Sequence, residues 1–351
     1  MSRFLASRFE DLKAYTPGEQ PSDMEYIKLN TNESPYPPPD IIKNVIIREL
    51  PKLHLYPNPD GSELINKIAK LYKVKAQNVI LGNGSDELLA FAFLAFFETG
   101  VVFPDITYGF YPVYSKLYNI PFQEISLKDD LTINVNDYTA INKNIVLANP
   151  NAPTGIALNI KEIEKIAESN PNHIVLIDEA YVDFGADSAV RLIKKYDNLL
   201  VIHTYSKSRS MAGARLGFAI ASPAIIEDLN KMKYSFNPYN VNRLSQVMGE
   251  FAIDREGYYA KIRMEVIETR EHTKNCLIKL GFTSTNSAAN FLFCKHPDIS
   301  GKELYQKLKK TGILVRQWDK PRIKDYVRIT IGTKAQMDAL IEAIEKIMRE
   351  K

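Results

Sequence analysis

The chain has 351 residues, of which 45% are hydrophobic and 25% are charged, and its formal net charge is +3. This length suffices for two domains, and the small, scattered basic excess argues against a nucleic-acid partner. No run approaches the roughly 18 apolar residues of a membrane span, and residues 1–5 do not begin a signal peptide. We therefore expect a cytoplasmic, globular protein with no membrane partner.

The cysteines and histidines lack the spacing of metal ligands. Cys276 and Cys294 have no CxxC relation, and the five histidines do not cluster. Free thiols are typical of a reducing compartment. The sequence therefore predicts two unpaired cysteines and no metal site.

The start of the chain is predicted to be an irregular arm, because prolines and a glycine interrupt it at Pro17-Gly18 and again at residues 35–39. We expect this arm, residues 1–35, to pack on a small C-terminal domain. A large domain is predicted over residues 36–245, and the small one over residues 246–351.

Apolar runs that alternate with helical patterns follow the arm. The runs lie at residues 79–81, 101–103, 122–125, 145–147, 174–177, 199–202 and 218–220. Among the helical patterns are residues 62–72 and 88–97. Continuous apolar strands separated by helices are typical of a parallel sheet covered on both faces. The sequence thus predicts an α/β fold whose large domain has a mainly parallel seven-stranded sheet between helices.

The last third of the chain has a different organisation. One long helical pattern runs from about residue 240 to 279, and strands at 290–293, 312–315 and 327–330 then mix with helices at 302–310 and from 335. Shorter connections and mixed element types favour a small α+β domain.

Polar side chains stand at the ends of several predicted strands, where open α/β sheets place their ligand sites. Gly82-Asn83-Gly84-Ser85-Asp86 follows a strand and opens a helix, so its backbone N–H groups can bind a phosphate. Arg215 can complete such a site with its forked donors. A turn of this kind also occurs as simple topology, and Arg215 can equally form a surface ion pair.

A lysine, a carboxylate and a phenol also follow apolar strands, at Lys207, Asp178 and Tyr181. Pyridoxal 5′-phosphate needs a lysine amine for its Schiff base and an acid to keep its pyridine nitrogen protonated. A buried Asp178 requires a facing cation, and a pyridinium is one; the alternative is a helix N-cap. We therefore predict a pyridoxal-phosphate site.

Two further segments can complete this site. Tyr108 can stack on the pyridine ring, although a role in the core is an alternative. In the turn-rich residues 149–155 an asparagine can hydrogen-bond the cofactor's phenolic oxygen.

At this point the chain resembles the histidinol-phosphate aminotransferases, within the class I and II, fold-type I pyridoxal-phosphate aminotransferases. The resemblance spans nearly the whole length. Its motifs are Tyr15-Thr16-Pro17-Gly18, Leu29-Asn30-Thr31-Asn32-Glu33, Tyr56-Pro57, residues 82–87, Tyr108, Pro153-Thr154-Gly155, residues 178–181, Ser206-Lys207, Arg215, Arg316 and Arg328-Ile329-Thr330-Ile331-Gly332.

The resemblance implies a role for each matched residue. It makes Lys207 the residue that binds the cofactor and shuttles the proton, Asp178 the partner of the pyridine nitrogen and Tyr181 the partner of the phenolic oxygen. It implies phosphate contacts from Gly84, Ser85, Asp86, Ser206 and Arg215, ring stacking by Tyr108, and substrate contacts from Tyr15, Asn32, Arg316 and Arg328. It also implies a homodimer in which Tyr56 reaches the cofactor of the second subunit.

One departure concerns the loop before Pro-Thr-Gly. The family's phenolic-oxygen asparagine usually stands at the position that is Ala152 here. Either Asn151 takes its place through a shift of the loop, or Tyr181 makes the contact alone.

The resemblance implies amino transfer between L-histidinol phosphate and 2-oxoglutarate, with glutamate as a product. Arginine forks pair with either a phosphate or a carboxylate, so we expect Arg328, with Arg316 beside it, to bind the α-carboxylate of glutamate or the phosphate of histidinol phosphate. Three alternatives remain open: an aromatic amino-acid aminotransferase, a threonine-phosphate decarboxylase of the same fold, and a non-catalytic regulator that binds the cofactor.

Overall fold

A seven-stranded sheet forms the centre of the protein, whose computed structural model describes residues 2–350. Its strands, in spatial order, are β2 (Val79–Gly82), β8 (Gly217–Ala221), β7 (Leu199–Thr204), β6 (Val175–Asp178), β5 (Asn144–Ala148), β3 (Val101–Pro104) and β4 (Phe122–Ile125). Of these seven strands, β8 alone runs opposite to the other six. The predicted mainly parallel seven-stranded sheet is confirmed.

The strands are apolar throughout because both faces of the sheet are covered. Val175 and Ile177 of β6 join one buried cluster, whereas Leu176 between them joins a second cluster on the opposite face. Successive strand residues point to opposite faces. Full burial of such a side chain stabilises the fold by about 1.5–3 kcal/mol, so each strand contributes to two cores.

Ten α-helices pack against the sheet or lie in other parts of the described chain. They are α1 (Ile42–Glu49), α2 (Ser62–Tyr72), α3 (Gly84–Phe96), α4 (Tyr111–Leu117), α5 (Ile160–Ser169), α6 (Pro223–Phe236), α7 (Arg243–Asp254), α8 (Glu256–Lys279), α9 (Gly301–Lys310) and α10 (Lys334–Arg349). The single long helix predicted from about residue 240 is wrong. It breaks at Arg255, whose backbone leaves the helical region (φ −111°, ψ 29°), a change that apolar periodicity does not reveal.

A second, antiparallel sheet follows in the last third of the chain. Its order is β12 (Arg316–Gln317), β13 (Val327–Thr330), β10 (Phe291–Lys295) and β9 (Thr283–Ser284). Separately, β1 (Ile27–Lys28) pairs in parallel with β11 (Ile313–Leu314). Leu29 is buried in the same cluster as Ile329 and Leu340, so part of the predicted arm contacts this unit. The domain boundaries at residues 35 and 245 stay predictions.

Over residues 2–350, no helix has the length and apolar character needed to cross a bilayer. The same residues contain no cluster of potential metal ligands. Both cysteines are free, and Cys294 is buried.

Candidate active site

A cavity of about 740 Å³ lies at the edge of the central sheet where β3, β5, β6 and β7 end. Residues 13–18, 30–33 and the β12–β13 region form its opposite wall. Most of the predicted site residues line it: Tyr15, Asn32, Ser85, Asp86, Tyr108, Asp178, Tyr181, Ser206, Lys207, Arg215, Arg316 and Arg328. Gly84, Asn151 and Tyr56 are not part of the lining.

The predicted phosphate cradle is the amino-terminal end of α3. This helix begins at Gly84, so its first backbone N–H groups have no partner within the helix. Gly84 has φ +76°, and a Cβ there would lie 2.6 Å from Nη2 of Arg215; one on Gly217 would lie 2.6 Å from the backbone nitrogen of Ser85. The cradle therefore requires glycine at both positions, although Gly84 does not itself line the cavity.

Three side chains border this cradle: Arg215, Thr204 and Ser206. Arg215 Nη2 donates to Asp86 Oδ2 at 2.8 Å, and the hydroxyl of Thr204 donates to that of Ser206 at 3.0 Å. An anion placed here would meet one guanidinium, the hydroxyl pair and the positive end of a helix dipole.

Asp178 ends β6 at the floor of the cavity and is 5% exposed. Burial raises its pKa to about 6, and a hydrogen bond from the Tyr111 hydroxyl to Oδ2, at 3.0 Å, opposes that rise. The backbone N–H of Ala180 donates to Oδ1 at 3.2 Å. An ionised carboxylate here is stabilised only partly by its neighbours, which suits a facing cation.

Lys207 follows β7 by three residues and is half-buried. Burial lowers the pKa of its amine to about 8, and the nearby charge of Arg328 adds to the effect. Its Nζ donates to the carbonyl of Thr31 at 3.1 Å and lies 5.8 Å from the centroid of the Tyr181 ring. About one-tenth of such an amine is unprotonated at pH 7, far more than for an ordinary lysine, and the unprotonated form is the nucleophile.

The Tyr181 hydroxyl is held by Asn32, whose Nδ2 donates to it at 2.9 Å. Asn32 is 1% exposed and adopts a left-handed conformation (φ 55°). Its backbone N–H donates to the Thr330 hydroxyl, which in turn donates to its Oδ1. Asn32 therefore connects the second sheet to the cavity wall.

Aromatic rings form another wall of the cavity. Tyr108 donates its hydroxyl to Asp86 Oδ1 at 2.9 Å, and Tyr15 stacks on Phe110 with centroids 4.3 Å apart. Burial raises the pKa of both tyrosines, so they stay neutral at physiological pH. The face of Tyr108 is therefore positioned by a hydrogen bond to the cradle itself.

Two arginines face this site from β12 and β13. Arg328 lies between Phe291 and Trp318, with its guanidinium carbon 5.4 Å and 5.2 Å from the ring centroids. Its Nη2 donates to the Asn30 carbonyl at 2.9 Å, whereas its buried Nε has no partner within residues 2–350. Burial lowers its pKa. Arg316 donates to the Thr16 and Pro17 carbonyls, so it ties residues 16–17 to this wall.

The geometry does not support Asn151 as a ligand for the phenolic oxygen. Its Nδ2 donates to the Ile106 carbonyl and the Thr154 hydroxyl, and its Oδ1 accepts from Thr107. The amide is thus saturated by its own loop and by the segment after β3, while Ala152 lines the cavity instead.

Tyr56 lies outside the cavity of its own subunit. It is 77% exposed and stacks on Tyr239 with centroids 4.4 Å apart.

Three residues of the site escaped the sequence reasoning. Tyr111 contacts Asp178, Trp318 packs on both arginines, and the Thr31 carbonyl binds Lys207. Tyr111 follows Tyr108 by three residues, which would place both on one face of a helical turn, a signal that could have found it. Nothing in a single sequence marks Trp318 or a backbone carbonyl.

Known proteins are similar to the chain over nearly its whole length. The family model described as aminotransferase class I and II matches residues 24–344. A protein of Brachyspira hyodysenteriae named histidinol-phosphate aminotransferase is 50% identical, with 99% of this chain and 100% of that protein covered.

Two solved structures share the fold. The histidinol-phosphate aminotransferase from Clostridium acetobutylicum has a TM-score of 0.86 at 24% identity, with coverage of 92% of this chain and 99% of that one. The enzyme of that name from Sinorhizobium meliloti, in complex with pyridoxal-5′-phosphate, has a TM-score of 0.85 at 20% identity, with coverage of 93% and 92%.

Proposed function

Since this chain belongs to the class I and II aminotransferases, we propose that it transfers an amino group between L-histidinol phosphate and 2-oxoglutarate with pyridoxal 5′-phosphate as its cofactor. The reaction class rests on the family. The substrate rests on the name of the relative that shares half of its residues over the full length. One observation supports the choice of cofactor: Lys207 and the buried Asp178 line the same cavity.

The described residues fit that cofactor. The open end of α3 with Arg215 suits its phosphate, Asp178 suits a protonated ring nitrogen, and Lys207 suits its aldehyde. When bound, pyridoxal phosphate supplies an electron sink that stabilises the carbanion left after loss of a substrate proton.

Lys207 performs the proton transfers in this proposal. Its pKa of about 8 keeps part of the amine neutral at physiological pH, so it can take a proton from the substrate carbon and return it elsewhere. Asp178 holds negative charge at the floor of the cavity, where the low dielectric makes it an effective electrostatic partner. Tyr181, fixed by Asn32, presents its hydroxyl to the cavity.

Arg328 and Arg316 select anionic substrates in this proposal. The buried, unpartnered Nε of Arg328 offers a donor beside Nη2, which is the forked geometry that phosphates and carboxylates bind. Histidinol phosphate brings a phosphate and glutamate an α-carboxylate, so one guanidinium can bind each in turn. Tyr15 and Trp318 line the same wall.

The proposal includes a homodimer in which Tyr56 of one subunit completes the phosphate site of the other. Large apolar side chains are exposed along the segment that carries Tyr56: Ile41, Ile47, Leu50, Leu53 and Leu55. An apolar surface of this kind favours contact with a second copy of the chain. Residence in the cytoplasm fits the two free thiols.

Subunit mixing tests the dimer. If Tyr56 acts across the interface, Tyr56→Ala and Lys207→Ala subunits are each weak or inactive alone. Mixed dimers then regain activity, because one of their two sites has both residues. No recovery after co-refolding, with heterodimers verified by mass, would contradict the shared site.

Substrate specificity tests the reaction. We expect kcat/KM for histidinol phosphate to exceed that for phenylalanine and tyrosine, with glutamate formed from 2-oxoglutarate. A preference for the free aromatic amino acids would replace the substrate and keep the reaction class. Release of carbon dioxide from threonine phosphate without glutamate formation would overturn the proposal.

A further inference from the structure

We propose that Asn32 is a positioning residue that sets the direction of the Tyr181 hydroxyl proton, so that Tyr181 donates into the cavity. This inference rests on the proposed function, because the group that receives the proton is the phenolic oxygen of the cofactor. It is based on three hydrogen bonds, two between Asn32 and Thr330 of β13 and one between Asn32 and Tyr181, which follows β6.

Thr330 fixes which way the Asn32 amide faces. The Thr330 hydroxyl accepts the backbone N–H of Asn32 at 2.9 Å, so its single proton needs an acceptor. Asn32 Oδ1 lies 3.0 Å away and is that acceptor. Thr330 is 2% exposed, so a flipped amide would leave this hydroxyl proton facing an NH₂ group, at the cost of a buried unpaired donor.

The amide orientation then fixes the tyrosine. With Oδ1 engaged by Thr330, the other end of the amide is Nδ2, which donates to the Tyr181 oxygen at 2.9 Å. A hydroxyl that accepts from an amide must direct its own proton elsewhere. Tyr181 lines the cavity, so its proton points toward the space where the cofactor would lie. The Asn32 bond also lowers the pKa of Tyr181 against the larger, opposite effect of burial.

The loop between Asn149 and Gly155 does not offer a second hydrogen-bond donor to the cofactor's phenolic oxygen. Asn151 is saturated by Ile106, Thr107 and Thr154, and Ala152 has no polar atom. Tyr181 is thus the residue that this geometry provides as a donor to the cofactor's phenolic oxygen. The direction of the Tyr181 hydroxyl proton is therefore more important.

Asn32→Asp tests the direction of the bond with almost no change in shape. Aspartate tolerates the left-handed backbone at residue 32, but its carboxylate only accepts, so Tyr181 would donate to it and no longer into the cavity. In cofactor-loaded protein, we expect the pH midpoint of the visible absorption band to rise by about one unit. We also expect kcat to fall about tenfold, with KM for the amino donor within about threefold.

A double-mutant cycle separates positioning from simple charge. In a Tyr181→Phe background, Asn32→Asp should move the midpoint by much less than it does in the wild type. An equal shift in both backgrounds would overturn the proposal, because the aspartate would then act without the tyrosine. Asn78→Asp is the matched control: its amide donates to the Ala221 carbonyl at the opposite edge of the sheet, and the midpoint should not move.

Asn32→Gly covers the case in which the aspartate variant does not fold. Glycine accepts φ 55° without strain and removes the amide, so the midpoint should rise, though less than in Asn32→Asp. A glycine variant that titrates like the wild type overturns the proposal. A wild type that neither binds the cofactor nor transaminates refutes the proposed function instead, whatever Asn32 does.

Discussion

Tyr111→Phe should change how tightly the protein holds its cofactor, and by an amount that depends on pH. The substitution removes one oxygen from a fully buried ring and leaves the shape of the core intact. That oxygen donates to Asp178 Oδ2 at 3.0 Å and is the largest stabilising influence on the carboxylate. Without it, the ionised form of Asp178 loses a donor in a site where water cannot replace it.

The magnitude follows from the pKa of Asp178, which is about 6 in the wild type. A hydrogen bond to a charged group is worth about 1.5–3 kcal/mol, and one pKa unit corresponds to about 1.4 kcal/mol. The variant should therefore raise the pKa of Asp178 by about one to two units. Because only the ionised form pairs with a pyridinium, the cofactor Kd should rise about two- to tenfold at pH 7 and about ten- to hundredfold well below pH 6.

The assay is a titration of cofactor-free protein with pyridoxal phosphate at pH 5, 7 and 9, followed by absorbance. Near pH 9, Asp178 is ionised in both proteins and the two Kd values should converge. A ratio of variant to wild-type Kd that is the same at all three pH values would refute the reasoning, since Tyr111 would then act by packing alone. Tyr138→Phe is a suitable control, because that buried hydroxyl has no partner within residues 2–350.

Three further predictions concern the cradle, the lysine and the arginines. The rate of cofactor capture should rise about tenfold per pH unit below pH 8 and level off above it, because the Lys207 amine must be neutral; a flat stopped-flow profile from pH 6 to 9 would contradict this. Gly84→Ala should weaken cofactor binding and lower the free energy of unfolding by about 1–2 kcal/mol, because residue 84 has φ +76° and a Cβ there would collide with Arg215. Gly257→Ala is the control: a Cβ at residue 257 meets open space, so cofactor binding should stay unchanged. Arg328→Lys keeps the charge but loses the fork, so KM should rise about tenfold or more for both histidinol phosphate and 2-oxoglutarate; a change in only one KM would show that the two anions bind separately.

The sequence was most informative where polar or reactive side chains directly follow a predicted strand. In a parallel sheet, residues after successive strands meet at one edge. This rule alone brings Ser85, Asp178 and Lys207 together although nearly a hundred positions separate the first from the second, and the structure places all three around one cavity. The resemblance added Tyr15, Arg316 and Arg328, which no strand rule connects to that edge.

What escaped prediction depends on contacts between segments that are distant in the chain. Asn32 contacts Tyr181 and Thr330 because the segment after β1 lies against β13, and no local pattern encodes that contact. The expectation that Asn151 contacts the cofactor's phenolic oxygen overlooked contacts of the same kind. Its side chain bonds to Thr154 in its own loop and to Ile106 and Thr107 in the distant segment after β3. Satisfying a buried amide outweighs presenting it to an open cavity.

The 298 positions between Asn32 and Thr330 have a consequence for how the protein is made. The ribosome delivers all seven strands of the central sheet before β13, so the wall that carries residue 32 waits for a segment made after that sheet. Long-range contacts of this kind form late because closing so large a loop is entropically costly. A nascent chain is therefore unable to complete this wall of the cavity until β13 has been made.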